Sequence, residues 1–270
     1  MPDRALTFGA VAESYERFRP AYPPELFTLV TEYAARPLVT ALEIGAGTGK
    51  ATRVFAGHGL RLTATDPDAA MLTELRKHVP QDVRTTQASF EDLPLDDARY
   101  DLVYAAAALH WTHPQDRCNR LATLLNPAAT FASFGGPLHV ADPRVEEAVR
   151  TTRSAFLDRD DIPSPDGTPP ADAMQWPGTE LHRSEWFTDV RQTVIHRRVT
   201  MSPHAYLGHL STISAYLVLP PAQQEEVFSR IERVLPERVE MVADIHRASG
   251  SSVLGAVGLG CISLAASRHL

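Results

Sequence analysis

The stretch LEIGAGTGKATRVF, Leu42 to Phe55, decides the fold. A short apolar run that ends in glycine is typical of a buried strand, and the residues after the glycines predict a helix. Because Gly45, Gly47 and Gly49 alternate along the connection, its backbone can make a tight turn that lies directly against a ligand. Glu43 stands at the end of the strand, where a buried carboxylate requires a cationic or hydrogen-bonding partner.

Two familiar glycine-rich motifs do not fit this turn. A phosphate-binding P-loop has four residues between its glycines and a Ser or Thr after its lysine, whereas here three residues separate Gly45 from Gly49 and Ala51 follows Lys50. A dinucleotide fingerprint has its third glycine where this chain has Lys50, which disfavours a nicotinamide dehydrogenase. We expect Lys50 to be exposed to solvent on the first turn of the helix.

A second acid suggests what the turn binds instead. Asp66 falls at the end of the next predicted strand, where a carboxylate can accept hydrogen bonds from both hydroxyls of a ribose. Together with Glu43, it predicts a ligand that carries a ribose and a cationic group and that needs no phosphate site.

Outward from this stretch, short apolar runs alternate with amphipathic ones as far as Gly136. Five strands are predicted before that glycine, a sixth over 190–201 and a last one over 253–265. Strands that alternate with helices predict an α/β fold with a doubly wound, mostly parallel sheet, here of seven strands.

The predicted domains follow the alternation of strands and helices, which ends at Gly136. Residues 1–36 are predicted to form N-terminal lid helices, and residues 37–136 a ligand-binding core. Five prolines fall within 158–180, and a long loop of this kind is typical of a lid or a binding segment. Residues 137–189 and 202–250 are therefore predicted to be helical cap and lid insertions that bind the substrate, and residues 190–201 and 251–270 to be the remaining core strands.

Composition narrows the classes of partner. The formal net charge of −7 and the pI near 5.9 disfavour a protein that grips nucleic-acid phosphates and favour a small-molecule partner. Two cysteines make no disulfide framework or metal-ligand spacing. Since no cluster of acidic residues indicates a magnesium site, no metal is expected. Without an apolar signal segment or a run long enough to cross a bilayer, the expected location is the cytoplasm, with no membrane partner.

The chain resembles the class I S-adenosylmethionine-dependent methyltransferases. LEIGAGTGKATR resembles the first motif of that family, TATDPDAAML its ribose-binding motif, ASFEDLPL its adenine motif, and YDLVYAAAALHWTHP its fourth strand and the loop that follows. FGAVAESYERFRPAYP, Phe8 to Pro23, resembles the opening segment of the small-molecule branch that includes trans-aconitate methyltransferase and many secondary-metabolite enzymes. The similarity covers Phe8 to Gly136 and is looser over the C-terminal half.

The resemblance implies a Rossmann-like fold, S-adenosylmethionine as cofactor and a role for several residues. Tyr15 and Arg19 would close over the methionine end from the lid, and Glu43 would lie near the ammonium. Asp66 would hold the ribose, and Ser89 and Phe90 would occupy the adenine edge, where relatives often carry Asp and a small residue. The remaining cofactor contacts implied are those of Gly45, Ala46, Gly47, Pro67, Met71, Ala105 and Ala106.

Catalytic and substrate-binding candidates come from the same segments. His110 and His113 follow the fourth strand and could act as a base, although histidine and tryptophan here also serve packing and loop shape. Tyr15 is a further catalytic candidate, and His209 is expected to be an ordinary surface or cap residue. The candidates for the acceptor pocket are Tyr22, His110, Trp111, Trp176 and Trp186.

The predicted function is transfer of a methyl group to an O, N or C atom of a small molecule, a bulky or aromatic natural product. Two alternatives stay open. One is an S-adenosylmethionine-binding protein without methyl transfer, such as a regulator or a cyclase. The other is a nucleic-acid methyltransferase, disfavoured by the negative charge and by AAALHW after the fourth strand. The oligomeric state is not determined, and a homodimer is left open.

Overall fold

The protein is described by a computed structural model over residues 8–95, 99–135, 138–157, 164–169, 172–243 and 261–267. Ten strands in this part of the chain form two sheets. The strands are β1 (Thr40–Ile44), β2 (Arg61–Asp66), β3 (Arg84–Gln87), β4 (Tyr100–Ala106), β5 (Leu125–Gly135), β6 (His139–Val140), β7 (Phe187–Val194), β8 (Arg197–Met201), β9 (Val239–Ala243) and β10 (Cys261–Ser267).

Helices connect and cover these strands. Several begin where the sequence supplies a cap: Asp68 accepts a hydrogen bond from the backbone of Ala70, and Ser202 accepts one from that of Ala205. The α-helices are α1 (Ala12–Phe18), α2 (Glu25–Ala34), α3 (Thr52–Phe55), α4 (Ala69–Arg76), α5 (Arg117–Leu124), α6 (Pro143–Arg153), α7 (Gly178–Arg183), α8 (Pro203–Leu210), α9 (Ser214–Leu217) and α10 (Pro221–Glu232).

The large sheet has the strand order β3-β2-β1-β4-β5-β10-β7. Strands β1 to β5 are parallel, and β10 is antiparallel to both β5 and β7. The predicted α/β class and the mostly parallel seven-stranded sheet are confirmed. The order reverses between β1 and β4, so the carboxyl ends of these neighbouring strands border the crevice where open α/β sheets bind ligands.

Alternate residues along the central strands separate two apolar layers. Leu42 and Val103 face a core that α5 and α7 cover, whereas Ala41 and Tyr104 face a core covered by α2 and α3. This period of two places Glu43 on the same face as Ala41 and Tyr104, directly below the glycine turn.

The cap contains a second sheet, which the sequence did not predict. Strands β6, β9 and β8 form a three-stranded antiparallel sheet, which packs with α6, α8, α9 and α10 around buried residues that include Val149, Tyr206 and Tyr216. The insertion therefore contains strands as well as the predicted helices.

Three predicted boundaries differ from the structure. The single strand expected over 190–201 is two strands, because the chain leaves the large sheet after Val194 and Arg197 begins the cap sheet. The later part of the expected cap insertion 137–189 lies instead in the core, where α7 packs against β7. Of the last strand, expected over 253–265, the described residues show 261–267, and 244–260 lie outside the described part.

Candidate functional site

The glycine turn follows β1 and has a left-handed backbone. Gly45, Gly47 and Gly49 have φ angles of 64°, 55° and 84°, which side chains rarely allow. A Cβ on Gly45 would lie 2.5 Å from the Cβ of Ala108, whereas one on Gly47 would meet no atom within 4 Å. Ala108 thus packs against the turn at its first glycine, whereas the second glycine leaves space for a ligand.

Asp66 braces the turn from the end of β2. Its carboxylate accepts hydrogen bonds of 2.9 Å from the backbone N–H groups of Gly47 and Asp68. Burial raises the pKa of Asp66 to about 6, although these two bonds oppose the shift. The predicted ribose acid therefore lies beside the glycine turn, as the first and second motifs require.

Glu43 is fully buried under the same turn. Its Oε2 accepts hydrogen bonds from the hydroxyls of Thr52, at 2.6 Å, and Tyr104, at 2.9 Å, while its Oε1 has no partner among the described residues. Burial raises the pKa of Glu43 to about 8 against these two bonds. A buried carboxylate oxygen left without a donor fits a ligand that brings a positive charge.

The lid helix α1 is attached to the glycine turn through Glu16. The carboxylate of Glu16 accepts hydrogen bonds from the Thr48 hydroxyl at 2.7 Å and from Arg53 at 2.9 Å. Lys50 Nζ donates to the Glu16 carbonyl at 2.7 Å and lies 3.4 Å from its carboxylate. Burial raises the pKa of Glu16, but the bond from Thr48 and the two cations outweigh it, so the pKa is lowered.

The lid also contacts the cap. Arg19 donates from Nε to the Thr212 hydroxyl at 2.8 Å and from Nη2 to the Thr212 carbonyl at 3.0 Å, and its guanidinium lies 5.1 Å from the centre of the Tyr15 ring. A Cβ on Gly208 of α8 would meet the Phe18 ring at 2.5 Å, so glycine is what lets the lid helix approach the cap. Lid, turn and cap thus meet around one space.

That space is a cavity at the carboxyl ends of β1, β4 and β5. Its floor is the glycine turn, its roof comes from α1 and the loop after it, and its far side comes from the cap. The lining residues are Tyr15, Arg19, Pro20, Tyr22, Pro23, Leu26, Gly45, Ala46, Gly47, Thr48, Lys50, Ala51, Ala106, Ala107, Phe134, Gly135, Leu138, Ile195, Arg197 and His209.

The predicted histidines lie elsewhere. In the described part of the chain, His110, His113 and Trp111 do not line this cavity. Burial, with the nearby charge of Arg117, lowers the pKa of His110 to about 4, so its imidazole is a weak base. His113 is exposed, and Trp111 packs edge-on against Phe8 of the lid segment, with ring centres 6.0 Å apart.

Of the residues expected around the adenine and the sulfonium, some line the cavity and others do not. Ser89 exchanges hydrogen bonds with Asp92, and Phe90 is buried in the core under the guanidinium of Arg120. Ala105 is also buried in that core, whereas its neighbours Ala106 and Ala107 line the cavity. Alternation along β4 directs Ala105 and Ala106 to opposite faces, whereas Ala107 reaches the cavity because it follows the end of the strand, with a φ of 51°.

Pro67 and Met71 lie beside Asp66 at the start of α4. Met71 is buried, and the Pro67 carbonyl accepts a hydrogen bond of 3.1 Å from Gln87. A Cβ on Gly9 would lie 2.1 Å from a carboxylate oxygen of Asp68, so the lid segment reaches this edge too. The adenine contacts of Pro67 and Met71 stay a prediction.

Trp176 and Trp186 pack on the other face of the sheet, away from the cavity. Trp176 is 6% exposed, its indole N–H donates to Glu180 at 2.5 Å, and Arg117 lies over its ring. Trp186 packs against the same core cluster. Neither tryptophan lines the cavity, because α7 and β7 pack with the core, so their assignment to the acceptor pocket stays a prediction that their position does not support.

Three titratable residues at the cavity were missed. Lys50, expected to be exposed, is 8% exposed because it lies under the lid against Glu16. His209 is buried at the cavity, its Nδ1 has no partner among the described residues, and burial near Arg19 lowers its pKa to about 3. Arg197 enters from the cap sheet. No local pattern distinguished these residues, since each reaches the cavity through a long-range contact.

The described part of the chain contains no helix long and apolar enough to cross a membrane. Within the same residues, no three His, Cys, Asp or Glu side chains come together as metal ligands. The expectation that no metal takes part stays a prediction.

Comparisons with known proteins agree with this geometry. Residues 42–133 match the methyltransferase domain family. An uncharacterized methyltransferase of Mycobacterium tuberculosis is 32% identical over 234 residues, which cover 86% of this chain and 87% of that protein. A structure from Anaeromyxobacter dehalogenans, described as a type II methyltransferase, is similar with a TM-score of 0.63 and 24% identity, covering 93% of this chain and 98% of that one. A structure from Anabaena variabilis, described as a methyltransferase from an antibiotic biosynthesis pathway, has a TM-score of 0.61 at 14% identity, with coverage of 92% and 98%.

Proposed function

This chain belongs to the S-adenosylmethionine-dependent methyltransferases, and on that premise we propose that it methylates an O, N or C atom of a small, largely apolar molecule held in the cavity. The observation that carries this proposal is the enclosure of the cavity between the glycine turn, the lid and the cap. A space that the lid and the cap both cover suits a compact acceptor better than a nucleic-acid strand.

The residues present suit the cofactor. Gly47 leaves open space at the turn, Asp66 ends the second strand, and the unpartnered Oε1 of Glu43 suits a ligand with an ammonium group. When bound, S-adenosylmethionine supplies a methyl group that its sulfonium already activates. The protein then has to position the acceptor and exclude water.

The lid and the cap perform that exclusion in our proposal. Glu16 attaches α1 to the turn, and Arg19 attaches the loop after α1 to Thr212. With both contacts made, the reacting atoms are separated from bulk water, so the acceptor rather than water attacks the methyl carbon, and S-adenosylhomocysteine is the leaving group.

We assign the orientation of the acceptor to His209. Its imidazole is buried and neutral, and its Nδ1 is free among the described residues to accept a hydrogen bond from an acceptor O–H or N–H. With a pKa of about 3 it is a weak base, so its role is to hold a group in place. The base function predicted for His110 and His113 is not part of this proposal.

The side chains of the cavity wall indicate what kind of molecule the acceptor is. Tyr22, Leu26, Phe134, Leu138 and Ile195 make an apolar wall, which suits a bulky or aromatic natural product. The support expected from Trp176 and Trp186 is withdrawn, since both pack in the core.

Two measurements test the proposal. Calorimetric titration with S-adenosylmethionine and S-adenosylhomocysteine, with NAD as control, should give micromolar binding of the first two alone. Incubation with S-adenosylmethionine and a panel of phenols, amines and carboxylic acids should give a product heavier by one methyl group. Tight cofactor binding with no transfer to any compound would favour the alternative of a binding protein without transferase activity.

A further inference from the structure

Three cationic side chains line the cavity, and they differ in what neutralises them. Arg19 donates to Thr212, and Lys50 contacts both the carbonyl and the carboxylate of Glu16. Arg197 makes no hydrogen bond and no ion pair with any residue that the structure describes. No Asp or Glu from the described ranges lines the cavity either.

Arg197 faces inward because of the register of β8. It is the first residue of that strand and pairs with position 243 of β9. The next residue, Arg198, is exposed and forms an ion pair of 2.7 Å with Glu240 on β9. Since successive side chains of a strand point to opposite faces, the one arginine is directed to the cavity and the other to solvent.

No acidic side chain among the described residues is in ion-pair contact with Arg197, although the charge of Glu25 acts on it from a distance. The groups that influence it are Tyr22, whose burial raises its pKa so that the phenol stays neutral, and Glu25, which is exposed at the start of α2 and forms no ion pair with it. Burial lowers the pKa of Arg197 from its ordinary value, which reflects the cost of taking its charge out of water. An arginine nevertheless stays protonated, so an anion must come from a ligand if the charge is to be paired.

The cofactor does not account for this anion. S-adenosylmethionine carries one carboxylate, and the family resemblance places Arg19, beside Tyr15, over the methionine end that bears it. Arg197 enters from the cap sheet, and it shares the cavity lining with the apolar residues Leu138 and Ile195. A guanidinium beside an apolar wall suits a molecule that is apolar along its body and anionic at one end.

We propose that the methyl acceptor is an apolar carboxylic acid whose carboxylate pairs with Arg197. This inference rests on the proposed function, because it names the acceptor class for the same cavity. Arg197 is then a specificity-determining residue, and the methyl transfer itself is as proposed above.

The experiment uses probe pairs of nearly the same shape, in which a carboxylate is replaced by a neutral amide. Octanoate and octanamide, and indole-3-acetate and indole-3-acetamide, are titrated by calorimetry into the full chain saturated with S-adenosylhomocysteine. We expect at least one acid to bind at least about tenfold more tightly than its amide, which is the low end for a charge-assisted hydrogen bond. Equal binding of both acids and their amides, or no binding of either acid, would overturn the proposal.

Variants then assign any preference to its residue. Arg197→Gln should abolish the preference for the acid, Arg197→Lys should retain part of it, and the neighbouring Arg198→Gln should leave it unchanged. Thermal unfolding and S-adenosylhomocysteine affinity check that each variant is folded. A preference that survives Arg197→Gln would overturn the proposal, and so would a parallel loss of S-adenosylhomocysteine affinity, since the arginine would then hold the cofactor's carboxylate.

The two proposals can fail separately in the same samples. Methyl transfer to a neutral acceptor, with no preference for acids, would contradict the role of Arg197 and leave the proposed function standing. Acid binding that depends on Arg197, without transfer to any compound, would contradict the proposed function and leave the anion site standing.

Discussion

The carboxylate of Glu16 in the lid helix accepts a hydrogen bond of 2.7 Å from the hydroxyl of Thr48 in the glycine turn. The same carboxylate accepts a hydrogen bond from Arg53 and lies 3.4 Å from Lys50 Nζ. One acidic side chain thus joins helix α1 to three residues at and just after the glycine turn.

Loss of this acid should loosen the lid. We expect Glu16→Gln to weaken S-adenosylhomocysteine binding at least about tenfold, the low end for one charge-assisted hydrogen bond, mainly through faster dissociation. Stopped-flow displacement measures the rate. Glu13→Gln, on the same helix with a side chain that is 87% exposed, is the matched control. Equal dissociation rates for the two variants would show that Glu16 does not hold the lid.

Glu43 should make stability depend on pH. Its pKa is about 8 in the folded protein and near 4.5 when unfolded, so the folded state holds the proton more tightly. The free energy of unfolding of the cofactor-free protein should therefore fall as pH rises from about 4.5 to about 8, and Glu43→Gln should reduce that slope. Urea unfolding at pH 5, 6.5 and 8 measures it. The exposed Glu147→Gln should keep the slope, and an unchanged slope in Glu43→Gln would contradict the assignment.

Asp66 should contribute to cofactor affinity without holding the fold together. Asp66→Asn removes the negative charge of the carboxylate that accepts hydrogen bonds from the backbone N–H groups of Gly47 and Asp68. We expect binding of S-adenosylmethionine to weaken at least about tenfold. Calorimetry measures the affinity, and the exposed Asp82→Asn serves as control. Unchanged affinity in Asp66→Asn would reject its predicted role at the ribose.

The two buried histidines should respond differently to removal. His209→Ala should lower kcat about tenfold, the effect of one lost orienting hydrogen bond, while S-adenosylhomocysteine affinity stays the same. His110→Ala should change kcat much less, because His110 does not line the cavity among the described residues. Steady-state kinetics with the acceptor found in the screen compares them. A larger loss in His110→Ala would restore it as the base.

Trp176 should matter for stability and not for the site. Trp176→Ala removes a buried indole and should cost about 3–5 kcal/mol of unfolding free energy, and Trp176→Phe should cost less. Urea unfolding measures the loss, with Val218→Ala, at a side chain that is 46% exposed, as control. If Trp176→Phe were as stable as the parent but lost acceptor affinity, the tryptophan would belong to the acceptor pocket after all.

The sequence by itself determined the parts of this protein that local chemistry controls. The glycines at 45, 47 and 49 permit a tight turn against a ligand, and the period of apolar runs from Val39 to Ser133 predicts parallel strands with helical connections. An acid at the end of each of the first two strands follows from the same pattern. These features depend on neighbours within a few residues, so they can be read directly from the chain.

Only the tertiary structure decided which side chains share the cavity. The strand expected over 190–201 divides at Ile195 and His196, and this break brings Arg197 to the site while leaving Val190 in the core. Trp176 packs in the core because α7 closes the far face of the large sheet. Burial and pairing are set by contacts between residues far apart in sequence, such as Glu16 with Lys50 and Arg19 with Thr212, and no local periodicity encodes such contacts.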